Sequence, residues 1–139
     1  MTYAVTSPIP QIQTAVYQRL NSDSELRALV TGIFDEVPEG QVHPYVVLGE
    51  AFETPDNTHD TFGREVVITL HTWSRYRGYA EVLRITDRII TLLDHQPLSI
   101  TGHNVIAVRH EFAQTLRDPD PEIRHVPIRF RVVTEQDTT

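Results

Sequence analysis

The chain has no cysteine, so a disulfide framework, a thiol nucleophile and a thiolate metal site are all excluded, and the redox compartment is left open. It has no lysine either: its 12 basic residues are all arginines. That removes Schiff-base catalysis, P-loop phosphate binding and lysine-dependent nuclease motifs together. Positive charge is the minority sign, with 12 arginines against 19 acids and a net charge of −7. A general nucleic-acid binder neutralises phosphates with clustered cations, so this balance argues against one. Long apolar runs are missing as well, and nothing approaches the roughly 20 residues that span a bilayer. The opening Met1-Thr-Tyr-Ala-Val-Thr-Ser-Pro8 has no basic stretch and no long apolar core, so no secretory signal and no membrane role are expected.

What is present is an ordinary globular composition, 40% apolar and 22% charged, in 139 residues. That fits a single domain over 1–139 with an ordered core of about 8–134, and a chain of this size can bury about 70% of the surface it exposes unfolded. The most informative stretch runs from Phe62 to Asp94. Val66, Ile68 and Leu70 share one strand face at period two. Tyr79, Val82, Ile85, Ile89 and Leu92 then share one helix face at three-to-four spacing. A sheet packed on a helix follows. The opposite strand face, Val67, Thr69, His71 and Trp73, is too apolar for a solvent surface, so a second cover is expected there.

Elsewhere, Ile12, Ala15, Val16 and Leu20 predict a helix over Pro10 to Leu20, with Asn21 in the turn that follows. Ser22-Asp-Ser-Glu25 has capping-box spacing ahead of Leu26, Leu29 and Val30, with Gly32 as a left-handed stop, which predicts a short second helix. Ile33 to Val37 reads as a brief strand and Tyr45 to Glu53 as a longer one. Glu53 to Thr61 is a polar loop inside a strand pair. His95-Gln-Pro97 ends the main helix, and Leu98-Ser-Ile100 turns through Thr101-Gly-His-Asn104 as a hairpin into a strand from Val105 to Leu116. Ile106, Val108 and Phe112 alternate there with Ala107, Arg109 and Glu111. After the Asp118-Pro-Asp-Pro121 turn, Val126, Ile128, Phe130 and Val132 form the antiparallel partner, with Arg109, Arg129, Arg131 and Glu111 on the outer faces as cross-strand salt pairs. The tail, Glu135 to Thr139, is expected to be disordered. The fold class is α+β: a mostly antiparallel sheet with two or three helices on one face.

No constellation demands chemistry. The seven histidines never stand at helical spacing with a carboxylate, which argues against a zincin or di-iron site. His71 and His110 read as satisfied sheet residues. Ser74 and Ser99 lack a nucleophile elbow. Asp35-Glu36 and Asp118 with Asp120 sit where Asp and Pro shape turns. Arg75-Tyr76-Arg77-Gly78 could grip an anion at a helix start, though a capping turn with exposed arginines is the favoured reading. From Ala28 to Gly63 lie Asp35, Glu36, Glu39, Glu50, Glu53, Asp56 and Asp60 with no arginine among them. This acidic half reads as a solvated edge or as a docking or DNA-repelling wall.

Taken in order, several strings resemble the tail completion, or tail terminator, proteins of long-tailed bacteriophages, also called tail-to-head joining proteins. They are Ala15-Val-Tyr-Gln-Arg-Leu20, Phe34-Asp-Glu-Val-Pro38 with His43-Pro-Tyr-Val-Val-Leu-Gly-Glu50, Leu70-His-Thr-Trp-Ser-Arg75 with Gly78, and Arg117-Asp-Pro119 with Ile128-Arg-Phe-Arg131. The resemblance spans about Ile12 to Glu135. One departure is the turn Asp118-Pro-Asp-Pro-Glu122, where the family pattern often has a glycine.

The resemblance implies a non-enzymatic virion protein without cofactors, made in the host cytoplasm. It would be a siphophage-type homo-oligomer, commonly a hexameric ring, at the head-proximal end of the tail. Its implied partners are the major tail tube protein and the head-tail connector, with DNA passing the lumen unbound. Ring closure needs a second sticky face. Tyr45, Val67, His71, Trp73, Arg75, Arg77, Arg117 and Asp118 are the expected oligomer or partner contacts. Glu50, Glu53, Asp56 and Asp60 are the expected lumen- or tube-facing acids. The competing classes are a small α+β hydrolase or nuclease, and an adaptor of a tail-derived particle.

Overall fold

Residues 4–137 are described by the structure, a computed structural model. Pro10 sits in the first turn of helix α1 (Ile9–Asn21), where a missing N–H costs nothing, and Ile12, Val16 and Leu20 are its buried stripe. Asn21, expected in the turn, completes this helix. Helix α2 (Ser24–Leu29) follows at once.

Its cap differs from the capping-box reading. Asp23, one residue beyond Ser22, is the N-cap and accepts from the Leu26 N–H at 2.8 Å. The Ser22 hydroxyl instead donates to the Arg19 carbonyl. Asp23 wins because its carboxylate also takes two hydrogen bonds from Arg88 of the main helix, at 2.8 and 2.9 Å, a charge-assisted pair that a serine could not form. Nor does Gly32 act as a left-handed stop: α2 ends into extended Val30, and positive φ among glycines is confined to Gly40, Gly78 and Gly102. Gly32 is small because the Phe34 ring lies where a Cβ would go.

The strands are β1 (Ile33–Phe34), β2 (Tyr45–Pro55), β3 (Gly63–Ser74), β4 (His103–Ala113), β5 (Leu116–Arg117) and β6 (Arg124–Gln136), with helix α3 (Ala80–Leu93) between β3 and β4. The sheet order is β1-β2-β3-β6-β4, β5 pairing with β6. Only β1 with β2 is parallel among neighbours. Central β3 and β6 pair without a break from Gly63↔Glu135 to Ser74↔Arg124. Every second residue of β6 from Val126 to Thr134 is buried on the helix side, against Val66, Ile68 and Leu70 of β3. Helix α3 covers this face with Val82, Ile85, Ile89 and Leu93, each worth about 1.5–3 kcal/mol of gross transfer energy. Leu92, expected on the stripe, is only half-buried, and Leu93 takes its place.

Four further expectations change. The brief strand stops at Phe34 instead of Val37. Leu98 to Ile100 forms no strand, so the hairpin expected there is absent; the chain turns at Gly102, φ +85, into β4. The single strand predicted to Leu116 is broken into β4 and β5. Bulges between Val105 and Ala107 and between His110 and Phe112 each reset the alternation, so Ile106 and Phe112 face solvent, 57% and 39% exposed, while Val108 is buried. Lastly, Glu135 and Gln136 belong to β6 and are not disordered: the Gln136 N–H donates to the Phe62 carbonyl, and its carboxamide bonds both Ala4 and Thr6. Thr138 and Thr139 lie outside the described residues.

Candidate functional site

With all three helices on one side, the second face of the sheet carries Tyr45, Val47, Phe52, Glu65, Val67, Thr69, His71, Trp73, His125, Pro127, Arg129 and Arg131 by strand register. Two regions divide it.

At the β2 start, Tyr45 lies opposite Trp73 and Trp73 opposite His125. The Trp73 and His125 rings are parallel, 3.8 Å apart and 2° from coplanar in tilt. His125 also meets His71, ring nitrogen to ring nitrogen, at 2.7 Å, and the other His71 nitrogen reaches Glu50 at 3.2 Å. A bulge between Leu48 and Ala51 makes this chain of contacts: it shifts the strand's parity and leaves Glu50 beside the outer face. Gly49 is required there, because a Cβ would meet the His71 ring at 2.6 Å and the Thr69 carbonyl at 2.7 Å.

Burial, then the neighbouring His71, pushes the His125 imidazole down to about 4, against weaker opposing pulls from Asp118 and Glu50. Burial and then Arg75 lower His43 as well. Burial alone would raise Glu50, but a backbone hydrogen bond and His71 outweigh it and hold the carboxylate low. The carboxylate–imidazole–imidazole line thus favours a neutral His125 and ends on an indole, which offers no nucleophile. Among the described residues, no three His, Asp or Glu side chains converge as a metal site would require.

Arg75 pairs with Asp120 at 3.5 Å and Glu122 at 3.2 Å, and Asp118 accepts from the Asp120 N–H. Arg117 pairs across strands with Arg124 at the same sheet end. Tyr45, His71, Trp73, Arg75, Arg117 and Asp118 therefore gather at one end of the sheet. Arg77 stands apart in the exposed turn before α3, and Val67 lies further along β3. Val67 is 8% exposed, flanked by Phe52 and Arg131, so its burial needs no second copy. The apolar surface this face still shows is Phe52, 55% exposed, and Phe112, 39%.

The four expected lumen acids do not share a face. Glu50 bonds His71, Glu53 is spent on Arg64 at 3.0 Å and on the Ser7 hydroxyl, and Asp56 and Asp60 lie in the exposed loop before β3. Sequence reading missed His125. Its only signal is a cross-strand register with Trp73, visible once the β3–β6 pairing is known.

Around β4 and β6 lies the second region. Arg131 sits between Glu65, 3.3 Å, and Glu111, 2.8 Å. Of the cross-strand salt pairs expected from the sequence, Arg131 with Glu111 forms, Arg109 and Arg129 have no carboxylate partner among the described residues, and Glu65 is a partner the sequence did not point to. Arg109 lies opposite Arg131, and the Arg129 guanidinium lies over the Phe112 ring, 5.3 Å from its centre.

The family model for tail completion protein gp17 matches residues 14–135. The chain belongs to that family. Its curated relative, the tail completion protein gp17 of Bacillus phage SPP1, is 28% identical over 123 residues, 87% of this chain and 91% of that protein. The solved structure of the bacteriophage SPP1 gp17 protein shares the fold with a TM-score of 0.64 at 26% identity, covering 94% of this chain and 91% of that one. A chain in the virion of a native gene transfer agent particle shares it more fully, TM-score 0.87 at 23% identity, covering 94% and 99%. As a gp17-family member the chain is a structural protein of a phage-type tail.

Proposed function

We propose that this gp17-family protein closes a homo-oligomeric ring, most simply a hexamer, at the head-proximal end of a long phage tail, where it ends tube growth and joins the tail to the head connector. The observation that carries the reading is the family match across residues 14–135, which takes in every strand of the sheet except the last residue of β6. Two physical features support it. The helix-free sheet face carries exposed phenylalanines and arginines, the residue types that anchor protein interfaces. A net charge of −7 disfavours adhesion to DNA sliding through a lumen. The partners would be further copies of the chain, the major tail tube protein and the connector, with DNA unbound.

A second reading, an adaptor of a tail-derived particle, draws on the fold shared with the gene transfer agent virion. It keeps the ring and changes only the particle that carries it. Electron microscopy of particles made without this protein tests the role. Overlong tubes, or tails unattached to filled heads, are expected; tails of normal length joined to filled heads would overturn it.

A further inference from the structure

Both edges of the sheet are poor templates for backbone pairing with a neighbour. Edge strand β4 carries two bulges, β2 carries one, and the β1 edge is only two residues long. Such irregularities spoil a hydrogen-bond ladder. Side chains must then carry any contact along these edges, and the two edges offer opposite chemistry.

On the β4 side, three arginines face two carboxylates. Arg131 holds Glu65 and Glu111. Arg109 stands opposite Arg131 and, among the described residues, donates only to the Val108 carbonyl. Arg129 covers Phe112. Among the described residues, neither Arg109 nor Arg129 has a carboxylate within ion-pairing distance, so a knob of aromatic ring and surplus positive charge projects from a protein that is negative overall. Like charges directly opposite across strands are unfavourable unless an anion joins them.

On the β1 side, an open groove of about 610 Å³ runs between α1 and the sheet edge. Its lining is more polar than apolar: Tyr17 and Phe34 supply aromatic rings among the amides and hydroxyl of α1, and Asp35 and Glu36 supply two carboxylates. No cation pairs with Glu36 among the described residues, and Asp35 accepts only the Gln13 amide.

We infer that the Phe112–Arg129–Arg109 knob of one copy docks in the Tyr17–Phe34 groove of the next, with Arg109 and Arg129 meeting Asp35 and Glu36. The inference rests on the ring reading and deepens it. Knob and groove lie on opposite edges of one sheet, four strand spacings or about 19 Å apart, so the contact is head-to-tail, the kind that closes a ring when its rotation allows. Aromatic and arginine side chains that lose water on docking are the usual energetic centre of an interface, and the paired charges set its direction.

The absence of native cysteine makes a direct test available. A chain carrying both Glu36→Cys and Arg109→Cys, assembled on tails and treated with a short bis-maleimide, should give a ladder ending at the ring's copy number. Each single-cysteine chain should give none. The separation across the sheet prevents the two sites from bridging within one chain. Independently, Arg109→Glu with Arg129→Glu should abolish incorporation into tails at unchanged circular dichroism, and adding Asp35→Arg with Glu36→Arg should restore it. A tail-bound mass showing several copies without the ladder or the rescue would overturn this contact and leave the ring standing. A single tail-bound copy would remove both. Cross-links to the tube protein or the connector would reassign the knob to that partner and overturn the inference.

Discussion

Replacing His125 with phenylalanine isolates one titration in a measurable way. The substitution keeps an aromatic ring against Trp73, now stacked at 3.8 Å on the imidazole, and removes the group that burial and His71 push down to about 4. An unfolded chain takes up the histidine proton near 6.5, whereas the folded chain refuses it until about 4. Between these values the unfolded state binds more protons, so this contribution to stability is complete above about 6.5 and is lost as pH falls toward 4. At about 1.4 kcal/mol per pH unit, the gap corresponds to roughly 3 kcal/mol for a shielded group. Water reaches part of the ring, and about 2 kcal/mol is the expected size. At about pH 7.5 the wild type should be the more stable protein by about 0.5–1.5 kcal/mol, the worth of the His71 hydrogen bond. At about pH 4.5 the order should reverse. Urea unfolding followed by the single tryptophan, Trp73, reads both. His43 and His103, each lowered chiefly by its own burial, are present in both proteins and drop out of the difference. Parallel loss of stability in wild type and His125→Phe would refute the reasoning.

Two further substitutions probe the frame. Gly63→Ala places a methyl against the Asp56 carbonyl, a backbone atom held by the Asp56 N–H to Gly63 carbonyl bond of 2.9 Å; a loss of about 2–3 kcal/mol in urea unfolding is expected. Asp23→Ala removes the α2 cap, costing about 1 kcal/mol. The Arg88 hydrogen bond, with the Leu26 N–H, holds the Asp23 carboxyl below 3.8 against the opposing effect of burial, so its contribution is present above that value and fades as acid protonates it. Thermal melts at about pH 7 and pH 3 should converge for wild type and variant at the acid end.

Periodicity made much of this legible in one dimension. The alternation Val66, Ile68, Leu70 and Val126, Ile128, Phe130, Val132 marked two buried strands, and both are central and unbroken in the sheet. The α3 stripe marked the layer that covers them, with a one-residue shift at its end. Prediction failed where a local rule met a tertiary competitor. Ser22 satisfies the capping box by spacing, yet Asp23 caps because Arg88 arrives from a helix 65 residues away. Ile106 and Phe112 read as core by parity, yet two bulges turn them to solvent. Glu135 and Gln136 read as tail, yet β4 and the N-terminal segment hold them.

By itself the sequence determined the single α+β domain, the sheet face that its helices cover, and the order of strings that marks the family, because these depend on side-chain period and residue type along the chain. Only the tertiary structure decided that Trp73, His125, His71 and Glu50 form one array, that Val67 is already covered, and that the arginine–aromatic knob and the acid-lined groove stand on opposite edges. Those facts depend on strand order and register. A strand's neighbours are chosen by pairing across the whole sheet, and each bulge exchanges the faces of every residue beyond it.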